Sequence, residues 1–228
     1  MPLLVKVFFG LDIALVAVYL GNFAIGEPFW ILTHLFDLNG EANIPAWYAA
    51  MQLFLIGTLW AAFYRFRAKT SDPARTAVML MALIFWALSL DEIATIHEWL
   101  GHKSDFLLEG GNRSNTVFSQ TGIWIFILAP LFSVVVFYLM RSLRPGFLGQ
   151  RRSLKKLILG FVIYVGSAAG MEILANFFDE GSAALAFQVA IEEFGEMAGA
   201  TVLLWATLEL LQIHPESVRR LFRSPGQV

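Results

Sequence analysis

The sequence predicts an all-α protein, a polytopic bundle of six transmembrane helices forming a single domain over residues 1–228. Three observations predict it. Hydrophobic residues make up 57% of the 228-residue chain and charged residues 15%, against about 25% charged in soluble domains. Apolar windows of about twenty residues, each long enough to cross a bilayer, recur along the chain. Of the 16 lysines and arginines, all but Lys103 and Arg113 fall in segments that such spans place on one face. By the positive-inside rule that face is cytoplasmic and so are both termini. The net charge of −2 says little beside this distribution, and the absence of cysteine excludes disulfides, thiolate metal sites and a cysteine nucleophile.

The spans are expected near Leu3–Ile25, Ala46–Tyr64, Thr76–Trp99, Thr121–Met140, Leu157–Phe178 and Ala183–Leu211. The first contains one lysine, Lys6, and lacks a small-residue cleavage site, so it reads as a retained helix. It carries Asp12, a lone acid near mid-bilayer. The segment after it, EPFWILTHLFDLNGEANIP, is too polar to span, and its Phe29, Trp30, Leu32, Leu35 and Phe36 suit a short helix lying at the interface. Within it Asp37, Asn39, Glu41 and Asn43 alternate like the opening ligands of a calcium loop. Ala42 stands where such a loop needs glycine and Tyr48 where it needs a bidentate glutamate. The competing reading is a polar turn with Asn43 near the next helix start.

The third span brings Asp91, Glu92, His97 and Glu98 to its outer third, with Asp91 and Glu98 on one helical face. The segment that follows, residues 101–120, is longer than a simple connection needs and is a candidate lid. The fifth span carries Glu172 and Asn176, with Asp179 one turn beyond. The sixth carries Glu192, Glu193 and Glu196 within about 100° of one another, with Gln188 in line. Ionised carboxylates at membrane depth cost kilocalories each, so they should face the bundle interior and meet protons, cations or donors. The spans supply no lysine or arginine at that depth to meet them.

Asp91, Glu92, His97, Glu98, Glu172, Glu192, Glu193 and Glu196 are therefore the candidate site. Carboxylates and a histidine projecting inward from facing helices are how di-iron and di-manganese bundles are built. The usual Glu-x-x-His pair is missing, so the likeness is to a type of site. The expected cofactor is a divalent metal ion (Fe, Mn, Zn or Ca), the oxygen-rich set suiting hard cations better than a structural zinc. The alternative is packing, with protonated acids merely fixing helix register. A Glu-Glu intramembrane protease of the CAAX type would need an arginine where Met197 stands. An HxxxH zinc pair, a glycine-rich phosphate loop and a nucleic-acid module are absent from the sequence.

The strings FDLNGEANIPAWY, SLDEIATIHEWLG and IEEFGEMAGA carry the patterns FD-x-x-x-E-x-N-x-P-x-W, LDE-x-x-x-x-HE and EE-x-x-E. On them the chain resembles a group of bacterial multi-pass membrane proteins. The resemblance implies a bacterial inner-membrane location and brings no activity with it. Three functions are expected in turn: a metalloprotein acting on a lipid or other apolar substrate, a proton- or ion-coupled transporter using the same acids, or a non-catalytic subunit of a larger membrane complex.

Overall fold

The structure, a computed structural model, describes residues 1–66, 74–107, 125–179 and 181–211. It is all-α, with no strand among the described residues. The order is α1 (Leu3–Ala24), α2 (Trp30–Leu35), α3 (Ile44–Phe66), α4 (Arg75–Ala94), α5 (Ile96–Ser104), α6 (Ile125–Leu143), α7 (Arg151–Ala175) and α8 (Ala183–Leu210). Single 3-10 segments follow α5, at Asp105–Leu107, and α6, at Arg144–Gln150. Among the described residues four stretches are long and apolar enough to cross a membrane: Leu3–Ala24, Ile44–Arg65, Arg75–Ala94 and Ile125–Ala175, the last containing both α6 and α7. The 28-residue α8 is longer than most but carries three glutamates mid-helix. The basic residues Arg67, Lys69, Arg219, Arg220 and Arg223, and most of the candidate lid, lie outside the described residues.

Helix α8 is the spine. It packs along α7 and also carries α1 and α3, while α3 pairs with α4. Lipid offers no hydrophobic gain to helix association, so close backbone approach and hydrogen bonds must supply it. Small residues provide the approach. A Cβ on Gly199 would lie 2.7 Å from the Tyr164 backbone nitrogen, and one on Gly160 would lie 2.7 Å from Leu203 Cγ. A Cβ on Gly195 would overlap Ser167. Around this seam Trp60, Phe85, Leu53, Ile56, Met81 and Leu203 are fully buried. Phe85 stacks on Phe161 at 5.6 Å between centroids, and Trp60 donates its indole N–H to Thr207 at 3.1 Å.

Asp12 is not alone. Its carboxylate, completely buried, accepts from the Tyr48 hydroxyl at 2.6 Å, the Thr201 hydroxyl at 2.9 Å and the Gln52 amide at 3.2 Å. Gln52 also donates to Thr201 at 2.9 Å, which ties α1, α3 and α8 into one polar knot. A buried carboxylate with several donors is satisfied where a solitary one would not be.

Two expectations need correcting. The third span does not run through to Trp99: α4 ends at Ala94, and Thr95 adopts a left-handed conformation (φ 48°) before α5 begins. A β-branched residue there is strained by about 1–3 kcal/mol. Asp91 and Glu98 therefore do not share a continuous helical face. The fifth long helix starts at Arg151, six residues before the expected Leu157, and stops at Ala175. Asn176 then caps it, donating to the carbonyls of Glu172 (3.2 Å) and Ile173 (3.1 Å), and Asp179 is left exposed in the turn.

Candidate functional site

The break at Thr95 builds one side of the site. With the helix interrupted, Asp91 reaches forward over the gap: its Oδ1 accepts the His97 backbone N–H at 2.9 Å and its Oδ2 pairs with the ring Nδ1 at 2.9 Å. An unbroken helix would leave residues six apart about 120° from each other around the axis. The pair is half-buried. Burial alone would lower the His97 pKa. The hydrogen bond to Asp91 and the charges of Asp91, Glu172 and Glu92 outweigh it and raise the value from 6.5 to about 9. A raised histidine contributes stability that is fully present below its unfolded value and disappears as pH rises through its folded value. The melting temperature of wild type should accordingly fall between about pH 6.5 and about pH 9, and His97→Gln should flatten that slope; a slope unchanged in the variant would contradict the pairing.

Glu92, next to Asp91, has a different partner: its Oε1 accepts from the Tyr164 hydroxyl of α7 at 2.9 Å. On α8 Glu192 accepts from Gln188 at 2.7 Å, and the same amide donates to the Met171 carbonyl of α7 at 2.8 Å. That ties α8 to α7 one residue from Glu172. Glu193 and Glu196 lie within electrostatic reach of each other, of Glu92, of Glu192 and of Glu172.

Asp91, Glu92, His97, Glu172 and Glu196, with Tyr164, line one cavity of about 240 Å³. Its remaining wall is apolar, made of Leu88, Ile96 and Leu100 on one side and Leu128, Ala129 and Phe132 of α6 on the other. Five of the eight candidate residues thus meet in one space. Glu192 and Glu193 adjoin them from α8, and Glu98 is exposed on α5. Among the described residues, no three histidine, aspartate or glutamate side chains already stand in an arrangement that could hold a metal ion. Each of Asp91, Glu92 and Glu192 is engaged with a protein donor instead.

The residues proposed for a calcium loop form a braced turn. The Asn43 amide nitrogen donates to the carbonyls of Asp37 and Gly40, both at 2.6 Å, and its oxygen caps α3 by accepting from Ala46 N–H at 3.1 Å. Asp37 Oδ1 accepts from the Asn39 backbone at 3.0 Å. Glu41, the third residue of that alternation, lies within electrostatic reach of Glu98, His97 and Asp91. Burial and then the Glu98 charge hold its carboxyl above the ordinary range, with His97 acting the other way. Glu41 and Tyr164 are the two additions to the cluster that the sequence does not disclose. One sits in a different motif, and the other is a single tyrosine in an apolar helix.

Fold and site together define an all-α protein with helices able to cross a membrane and an acid–histidine cavity between α4, α5, α7 and α8. The chain belongs to the family described as a domain of unknown function (DUF8692), whose model matches residues 9–211. All eight candidate residues fall inside that match. No curated protein and no solved structure matches the chain.

Proposed function

We propose that this is a six-span protein of the bacterial inner membrane, both termini cytoplasmic, whose acid cavity lies in the outer half of the bilayer. There it takes up a divalent cation in exchange for protons and acts on a lipid or other apolar substrate. One observation carries the reading: five ionisable side chains from α4, α5, α7 and α8 line one small cavity whose other walls are apolar. So many carboxylates in a low dielectric need compensating charge, and His97 supplies one positive charge at most. Asp91 holds the His97 ring through Nδ1, the kind of outer contact that orients a ligating imidazole. Binding would require Glu92 and Glu192 to exchange their hydrogen-bond donors for the ion, which couples uptake to proton release.

A second reading, a proton relay, is favoured by the same hydrogen bonds from Tyr164 and Gln188, which satisfy these acids without any ion. Elemental analysis of protein purified without chelator separates the two. The topology has its own test. A reporter active only outside the cytoplasm should be silent after Val228 and active within residues 104–119; activity at Val228 would refute the orientation.

A further inference from the structure

The acid cavity adjoins two others along the α6–α7 seam. It shares Val165 and Ala169 with a second cavity of about 430 Å³ between α6 and α7, lined by Val136, Phe137, Val162, Gly166 and Gly170. That one shares Met140 and Ile158 with a third, also about 430 Å³, at Arg144, Arg151, Arg152 and Lys155. The three form one groove along the α6–α7 seam, acidic at one end and basic at the other. The protein does not fill it: a Cβ at Gly166 or Gly170 would meet no atom within 4 Å. In the middle cavity the one hydroxyl among the described lining residues, on Ser133, is spent on the Ala129 carbonyl at 2.8 Å, so that wall is apolar.

We propose that this groove seats a long-chain amphiphile with a phosphate headgroup. The headgroup lies among Arg144, Arg151, Arg152 and Lys155, and the chain runs up to the Asp91–His97 cavity. This names the substrate class for the cavity, and so rests on the reading that an apolar substrate is met there. Charge selects the headgroup, since the basic cavity has four cationic side chains and no acid among its described lining residues. Arginine forks suit phosphate oxygens. Length selects the chain. From Lys155 to Glu172 the helix rises ~25 Å, whereas half of a hydrocarbon core is ~15 Å. A chain that reaches from one end to the other is therefore longer than an ordinary leaflet lipid's.

The test uses the full chain, delipidated in mild detergent with chelator present, and compares hexacosyl phosphate with dodecyl phosphate by native mass spectrometry. The long chain should bind about tenfold more tightly. Gly166→Leu combined with Gly170→Leu puts side chains into the middle of the groove, at positions where an added Cβ meets no atom within 4 Å. It should keep the melting temperature and remove the chain-length preference. Arg151→Gln with Arg152→Gln should weaken both probes alike. Equal binding of the two phosphates, or a preference that survives the leucines, would overturn the proposal. So would a dimer that the leucines convert to monomer, because a second copy would then be the occupant. A protein that ranks the chains yet takes up no divalent ion loses the cation reading and keeps this one.

Discussion

Gly199→Val should abolish recovery of the folded protein from mild detergent. At this position α8 approaches α7 backbone to backbone: an added Cβ would stand 2.7 Å from Tyr164 N and 2.9 Å from Tyr164 Cα. Backbone atoms cannot rotate aside, so the two helices must separate. Overpacking alone costs about 1–3 kcal/mol, occasionally more. The loss spreads further here, because Tyr164 donates to Glu92 and α8 supplies Glu196 to the same cavity. Gly166→Val is the control, since its Cβ faces open space and the variant should elute and melt like wild type. A Gly199→Val protein with wild-type melting behaviour would show that α7 and α8 do not meet as described.

The helices were legible because composition and apolar run length act locally, and the acids were legible because carboxylates are conspicuous in apolar sequence. Their convergence could be reasoned only as far as helical faces allow. That reasoning placed Gln188 in line with Glu192, where the structure has them hydrogen-bonded at 2.7 Å. It failed at Thr95, because a left-handed residue resets the angular register and no glycine or proline marks the spot. Everything beyond the break was assigned to the wrong face: Glu98 turned outward, while His97 turned onto Asp91. The Asp12 knot was invisible for a different reason. Its partners Tyr48, Gln52 and Thr201 come from two other helices, and nothing local to Asp12 announces them. Glu209 is a similar case, its partners Ser153 and Lys156 lying on another helix. It accepts from Ser153 at 2.7 Å and pairs with Lys156, fastening the ends of α7 and α8.

Glu196→Gln should lower divalent-ion uptake by about tenfold or more while leaving the bundle folded, because it preserves shape and removes one charge from the cavity wall. Glu172→Gln should behave alike, since both residues line the same space. Glu209→Gln should do the reverse: the melting temperature falls with the loss of its Lys156 and Ser153 contacts, and uptake is unchanged. The sign with pH follows from the exchange. Protons and the ion compete for the same carboxylates, so uptake should weaken on acidification. His97, whose pKa is raised to about 9, should give its proton to solvent and its ring nitrogen to the ion more readily as the pH rises. A Glu196→Gln protein with undiminished uptake would place the ion elsewhere.

The most direct measurement is elemental analysis of wild-type protein purified without chelator, followed by titration with Mn, Fe, Zn or Ca at neutral pH while released protons are counted. The account predicts a stoichiometric ion, or stoichiometric uptake accompanied by proton release. Protein that carries no metal, takes up none of the four and releases no protons would contradict it and leave the acids as a relay or as packing groups that fix helix register.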